Sequence, residues 1–523
     1  MWVYPEVRTL GEFIEYHARH TPDRRALVSG ARTIGFGAYD AIANRIANGL
    51  QARGIGGQDR AGDRIGFLGL NSPDFYFALI ATAKTRAAFI PLNWRLSAQE
   101  LAQLLRDSAA RLVFVERGLA DLWHAARDLA GVPAEVVWFD GEDTLEAQFA
   151  AQPASRPALH ISEEDTAIQL YTSGTTGVPK GVMLSHGGFN RMRLCEHLEP
   201  AYDWHDGDIF INPLPNFHLL SIGIAFQCLY NGVAISIVRQ FDPAVVCETI
   251  QQDRPTLLTL TPTMIQMLLD HPRAETTDFS SIRLTLYAGS AISLGLIKRA
   301  IVRMPGKFMQ FYGATEAGGA FSILRPEEHD LENEARLQSC GRPLPLIEFR
   351  IVDADGNDVA EGEPGELVAR SPAITTGYWN QPEATAKVLE NGWYRTGDVA
   401  RRDAEGLYYI VDRVKDMIVS GGENIYSAEV EHALSTHPEV AQVAVIGVPD
   451  DRWGEAVMAC VIRREGSTLD GPALIAHART ILAAYKVPKR VEFMDSFPLV
   501  PSGKVSKKDL RAPYWAEAGR NVA

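Results

Sequence analysis

The segment Tyr171-Thr172-Ser173-Gly174-Thr175-Thr176-Gly177-Val178-Pro179-Lys180-Gly181 carries the densest set of groups suited to holding an anion. Gly174, Gly177 and Gly181 permit tight turns that leave backbone amides facing outward. Ser173, Thr175 and Thr176 add hydroxyl donors, and Lys180 adds a mobile positive charge, so the loop can wrap the β- and γ-phosphates of a nucleotide. It is not a Walker A loop, because the glycine spacing and the Gly-Lys-Ser/Thr ending are absent. A plain Gly/Ser/Thr surface loop is the competing reading of this segment by itself. Tyr312-Gly313-Ala314-Thr315-Glu316 places a ring, bare backbone, a hydroxyl and a carboxylate together. The ring can stack on a base and the carboxylate can help hold Mg²⁺, a hard cation that takes oxygen ligands; a turn with a solvated Glu is the alternative. Asp398, after Thr396-Gly397, can accept from both hydroxyls of a ribose or serve as an ordinary turn residue. Arg413 offers a fixed donor fork or a surface ion pair. Lys504, in Pro501-Ser502-Gly503-Lys504, presents one ammonium on a flexible turn. His218 closes Leu214-Pro215-Asn216-Phe217-His218, where a satisfied core histidine rivals a site residue. The 13 histidines form no HExxH or tight His/Cys cluster, so no zinc site is expected.

Positioning these groups requires a large layered scaffold. Ser97-Ala98-Gln99-Glu100 reads as a capping box, after which Leu101, Leu104 and Leu105 give one apolar helix face. Runs at 65–70, 111–115, 257–260 and 284–287 read as buried strands between helical patterns, a rhythm that predicts α/β architecture. The texture changes after about residue 340. Short strands are expected at 348–352, 365–370 and 407–411, separated by DADG, EGEPG and DAEG turns. A compact unit follows, with a helix over 428–434, a strand over 442–446 and a helix leading to Tyr485. The stretch Leu219–Val238 is the most membrane-like; Gln227 and Asn231-Gly232 interrupt it, and a buried helix, turn and strand is the preferred reading.

Composition bounds the function. At 523 residues, with 46% hydrophobic and 22% charged residues, the chain has the profile of a multidomain globular protein. A formal net charge of −14 argues against nucleic acid as the main partner. The 5 cysteines, Cys195, Cys228, Cys247, Cys340 and Cys460, are scattered without a CxxC pair and read as small core residues in a reducing compartment. The opening MWVYPEVRTLGEF has no basic segment followed by an apolar one, so a cytoplasmic location without a secretory leader is expected.

In order along the chain, YTSGTTGVPKG (171–181), LPNFH (214–218), YAGSAIS (287–293), QFYGATE (310–316), GELVARSPAITTGYWNQPEAT (365–385), NGWYRTGDVA (391–400), VDRVKDMIVSGGENIYSAEVE (411–431) and PSGK (501–504) resemble the motifs of the adenylate-forming acyl-CoA synthetase superfamily. The nearest likeness is to bacterial medium/long-chain fatty acyl-CoA synthetases, with aryl and cinnamate-type ligases as neighbours. The resemblance implies an α/β fold: a large N-terminal domain of layered sheets and helices over 1–412, a hinge over 413–415, and a small mobile α+β C-terminal domain over 416–523. It implies ATP, Mg²⁺ and coenzyme A as cofactors, and an activity that joins a carboxylic acid to CoA through an acyl-adenylate.

By the same resemblance, Lys504, Lys180, Thr176, Glu316, His218 and Arg413 are the catalytic set. Thr172, Ser173, Gly174, Thr175, Thr176, Gly177, Lys180, Gly289, Ser290, Ala291, Tyr312, Gly313, Thr315, Asp398, Arg413, Gly421, Gly422 and Glu423 bind nucleotide or CoA. Glu316 and Thr175 would hold the metal, Lys415 is the hinge residue, and His218 gates the acyl site. Asn216 departs from the apolar residue more often found before Phe-His, and Ser290 stands where Ala is frequent, which weakens any transfer of acid specificity. Apolar residues around 209–226 can line an acyl pocket or simply form core. A luciferase-like enzyme, a freestanding adenylating enzyme with another acceptor, and a non-enzymatic acyl- or nucleotide-binding protein are the alternatives. Homodimerisation and transient membrane contact without stable insertion complete the expectations.

Overall fold

A computed structural model describes residues 6–56, 62–172, 179–420, 423–450, 452–499 and 505–517. The chain divides into two compact units, Met1–Glu348 with Ala369–Tyr394, and Phe349–Val368 with Arg395–Ala523.

In the first unit, the apolar runs Leu257–Leu260 and Leu284–Tyr287 are strands buried along their whole length, as parallel strands covered on both faces should be. Among the described residues they lie inside a nine-stranded sheet. Its central strands, Ala234–Ile237, Ile209–Asn212, Leu257–Leu260, Leu284–Tyr287 and Lys307–Ala314, run parallel, so they all end at one edge. Among the described residues, a seven-stranded sheet in the same unit is built on the parallel strands Arg64–Leu68, Ala88–Pro91, Leu112–Glu116 and Thr166–Thr172. Strand Lys180–Ser185 returns antiparallel beside Thr166–Thr172. In open sheets of this kind, ligands bind beyond the carboxyl ends of the parallel strands. Residues 213–218, 288–293 and 315–318 all leave such ends.

The helix over Ala98–Ser108 forms as its sequence predicts. Ser97 Oγ accepts from the Glu100 amide at 3.3 Å, and Glu100 returns the contact by accepting from the Ser97 amide at 2.8 Å. Such a cap contributes about 1 kcal/mol, and burial of Leu101, Leu104 and Leu105 adds roughly 2 kcal/mol for each side chain. Residues 219–238 resolve as the buried helix Leu219–Tyr230, a turn, and the strand Ala234–Ile237. No helix among the described residues is long and apolar enough to cross a membrane. All five cysteines are buried free thiols, as expected of core residues.

In the second unit, Asp398–Arg402 pairs antiparallel with Tyr408–Arg413. Strands Val440–Asp450 and Gly454–Arg463 form a long antiparallel pair, flanked by Ile418–Ser420 and Arg490–Phe493. Helices Ser427–Ser435 and Gly471–Ile481 pack Val430, Leu434, Leu474 and Ala478 on one face of this sheet. Leu510, from helix Lys507–Glu517, covers the other face together with Phe497. The helix expected to lead to Tyr485 stops at Ile481, and Tyr485 lies in the turn before Pro488. The helix ends where Leu482 takes up extended backbone, with φ −104 and ψ 148.

Candidate active site

In the first unit, Thr172 and Lys180 face each other across the paired strands that lead into and out of the glycine-rich segment. The Lys180 ammonium stands 4.9 Å from the centre of the Tyr378 ring, within range of a cation–π attraction. The Tyr378 hydroxyl donates to Glu316 Oε1 at 2.8 Å. Burial, then the charge and hydrogen bond of Glu316, raise the Tyr378 phenol above its ordinary range, so it stays a donor at neutral pH. Lys180, Tyr378 and Glu316 therefore form one connected set.

Main-chain bonds fix this set. Strand Gly377–Tyr378 pairs with Val182 and Met183, and the Trp379 amide donates to Gly181 O at 2.8 Å. On the other side, the Thr375 amide donates to Glu316 O at 2.7 Å. The segment 375–379 thus stitches the root of the glycine-rich hairpin to Glu316. Glu316 is 8% exposed and makes no hydrogen bond through Oε2 among the described residues. One hard carboxylate oxygen is a fitting donor for Mg²⁺, which takes one or two carboxylates and completes its shell with phosphate and water oxygens. Among the described residues no group of three or more His, Cys, Asp or Glu is placed to form an all-protein cage.

Tyr312 lies half-buried at the end of strand Lys307–Ala314, tilted against Phe321 with ring centres 6.3 Å apart. A Cβ on Gly313 would stand 2.5 Å from Gly319 O, which explains the glycine between Tyr312 and Thr315. Gly289 has φ +95, a conformation L side chains rarely adopt. With Ser290 and Ala291 it forms an exposed turn beyond strand Leu284–Tyr287. His218 is the N-cap of helix Leu219–Tyr230, with its ring 4.6 Å from that of Phe217. Asn216 now has a structural reason: it is 3% exposed, donates through Nδ2 to Gly69 O at 3.0 Å, and donates its amide to Asn71 Oδ1 at 3.1 Å. An apolar residue there would leave the Gly69 carbonyl without this donor.

The second unit brings Asp398 and Arg413 together. They are directly opposed across paired strands, with Arg413 Nε 3.0 Å from Asp398 Oδ1. The Asp398 side chain is 10% exposed and that of Arg413 54% exposed. Lys415 follows on the exposed chain. Partial desolvation first, then the cations Arg413 and Arg511, lower its ammonium pKa from the ordinary value, with Asp416 opposing. Glu423 is exposed and pairs with Ser420 in a short hairpin.

Ser173, Gly174, Thr175, Thr176, Gly177, Gly421, Gly422 and Lys504 lie outside the described residues. Sequence reasoning missed Tyr378 as an individual residue, although it stands inside the quoted GYWNQPEAT run. An aromatic residue with a hydroxyl, next to glycine on a short strand, carried no chemical signal until Glu316 was placed beside it.

The AMP-binding enzyme family matches residues 14–379, and the AMP-binding enzyme C-terminal domain matches residues 429–504. The fatty acid–[acyl-carrier-protein] ligase ScoC of Streptomyces coeruleorubidus is 35% identical, over 99% of this chain and 99% of its own length. A feruloyl-CoA synthase of an Amycolatopsis species is 38% identical, over 97% of this chain and 99% of its own. The o-succinylbenzoate CoA synthetase of Bacillus subtilis, solved in complex with ATP and magnesium ion, superposes with a TM-score of 0.82 at 27% identity, covering 95% of this chain and 98% of that one.

Proposed function

The chain belongs to the AMP-binding enzyme family and is an AMP-forming acid–CoA ligase, and we propose that its acid is a medium- to long-chain fatty acid. The observation that carries the site reading is the connected trio Lys180, Tyr378 and Glu316. It offers a cation for phosphate and a hard oxygen for a metal on one fixed scaffold, which is what departure of pyrophosphate needs. Helix Leu219–Tyr230, which His218 caps, has no charged side chain and buries Ile222, Ile224 and Phe226, a surrounding suited to an alkyl chain. An aryl or cinnamate-type acid is the second reading, favoured by the 38% identity to a feruloyl-CoA synthase.

In this reading a carboxylate oxygen of the acid attacks the α-phosphorus of ATP. The bond from that phosphorus to the β-phosphate oxygen breaks, and pyrophosphate leaves. Lys180 and the donors of Ser173–Gly177 take up the departing charge, while Lys504 holds the acid against the α-phosphate. Mg²⁺, held through Glu316 and Thr175, would neutralise charge on the phosphate oxygens. Tyr312 packs against adenine, with Thr172, Gly289, Ser290, Ala291, Gly313 and Thr315 lining the nucleotide. Asp398 accepts from the ribose hydroxyls, for which it must share Oδ1 with Arg413 or release it. The CoA thiolate then attacks the acyl carbon and the bond to AMP breaks. No covalent enzyme intermediate is needed.

The second half-reaction calls for a thiol path that Lys504 would obstruct. Residues 416–523 therefore turn about a hinge at 413–415, with Lys415 as its pivot and Gly421, Gly422 and Glu423 bordering the CoA channel. His218 gates the acyl site. A homodimer, located in the cytoplasm with transient membrane contact through its substrate, completes the proposal.

The test is thioester formation, read by mass, across straight-chain C4–C18 acids, benzoates and cinnamates with ATP, Mg²⁺ and CoA. A maximum among straight chains is expected and would give the pocket length. A maximum among aromatic acids would replace the first reading with the second, and acyl-AMP without thioester would move the acceptor from CoA to another thiol or amine.

A further inference from the structure

Asp412 stands immediately before the hinge and is 6% exposed. Its carboxylate accepts from the Ser427 amide, from Ser427 Oγ at 3.1 Å and from the Arg413 amide at 2.7 Å. Ser427 opens the helix Ser427–Ser435, so the negative charge meets free amides at the positive end of the helix dipole. Behind Ser427, Lys507 Nζ donates to its Oγ at 2.6 Å and pairs with Glu431 Oε1 at 2.7 Å. Glu431 in turn accepts from the Val445 amide at 2.7 Å. The result is a chain of charge-assisted bonds, Asp412–Ser427–Lys507–Glu431, whose first member lies before Lys415 in sequence and whose other members lie after it.

On the far side of the pivot the contacts are of another kind. Arg511, one helical turn beyond Lys507, donates to Lys415 O at 3.1 Å and pairs with the Asp416 carboxylate. The C-terminal helix Lys507–Glu517 therefore grips the backbone at and after the pivot, and those bonds travel with it. A turn of the backbone at Lys415 moves Ser427 and Lys507 relative to Asp412, whereas the bonds of Arg511 to Asp416 are preserved.

We propose that Asp412 is a positioning residue whose bonds to Ser427 form a latch across the hinge, so that it sets the balance between adenylation and thioester formation. The proposal rests on Lys415 being the pivot. Lys507 acts through Ser427 and Glu431, and helix Lys507–Glu517 serves as the brace on which the latch closes. Hydrogen bonds to a charged group hold a state by an amount that shifts a two-state balance about tenfold.

The experiment uses the full chain as wild type, Asp412→Ala, Asp412→Asn, Ser427→Ala and Lys415→Pro. Adenylation is read by acid-dependent ATP–pyrophosphate exchange with dodecanoate and with ferulate. Thioester formation is read from supplied dodecanoyl-AMP and feruloyl-AMP with CoA. The expected result is a change of about tenfold in the ratio of the two rates for Asp412→Ala, with smaller shifts in the same direction for Asp412→Asn and Ser427→Ala. The ratio does not depend on how much protein is folded, and Ser427→Ala removes a single hydroxyl should the Asp412 variants fail to fold. Both rates falling together, or neither changing, while Lys415→Pro shifts the ratio, would overturn the latch and leave the pivot standing. An unchanged ratio in Lys415→Pro would overturn the pivot and the latch with it.

Discussion

The trio Lys180–Tyr378–Glu316 and the pair Asp398–Arg413 each join a cation and a carboxylate, yet their surroundings differ. Glu316 is buried and braced by backbone bonds from 375–379, and the phenol that holds it has no tendency to ionise. The Arg413 side chain is 54% exposed, while that of its partner Asp398 is 10% exposed. Preorganised donors in a water-poor setting serve a step in which charge develops quickly. Asp398 is as buried as Glu316, so only the arginine of this pair reaches solvent, where exchange of an ionic partner costs little. In the proposed mechanism the first region holds still and the second rearranges.

That contrast can be broken at several points, in decreasing order of expected effect. Lys504→Ala should lower acid-dependent pyrophosphate exchange by roughly 10²–10³-fold while sparing thioester formation from supplied acyl-AMP; equal losses in both assays would end the division of labour. Glu316→Gln should lower adenylation roughly 10²-fold and raise the magnesium concentration required, whereas Tyr378→Phe, which removes only the hydroxyl, should cost about tenfold. A magnesium titration that matches wild type in both variants would remove Glu316 and Tyr378 from the phosphate end of the site. Lys415→Pro should slow thioester formation about tenfold more than adenylation, and unaltered coupled turnover would argue against a pivot there.

The smallest effect concerns acid sensitivity in the first region. Burial holds His329 down to about 4, against the opposing bond of its ring to Arg325 O, and its other nitrogen meets the Tyr287 hydroxyl at 3.0 Å. The folded state thus favours the neutral ring, so stability from this group is present above about pH 6.5 and is lost as pH falls toward 4. Melting curves from pH 7 to 4.5 should show a fall in Tm that is shallower in His329→Gln; parallel curves would contradict the assignment.

Much of the scaffold was legible because its signals are local. The Ser97–Glu100 capping box, the buried strands at 257–260 and 284–287, and the helix–turn–strand of 219–238 follow from periodicity and end chemistry. The motifs also pointed to Glu316, Tyr312, Asp398 and Arg413. What stayed hidden depends on contacts far apart in sequence. Tyr378 acquires meaning only when strand pairing sets it beside Lys180 and Glu316. Asn216 looked like a departure from pattern until the Gly69 carbonyl and Asn71 were placed against it. Asp412, Ser427 and Lys507 are ordinary polar residues until a helix end and a C-terminal brace converge on them.

The most direct check of the proposed chemistry is the product balance of a single incubation of wild-type enzyme with dodecanoate, ATP, Mg²⁺ and CoA, followed by mass detection. AMP, pyrophosphate and dodecanoyl-CoA should form in equal amounts, and AMP should not form when the acid is omitted. ADP and phosphate in place of AMP and pyrophosphate, or AMP formation indifferent to the acid, would contradict activation through an acyl-adenylate.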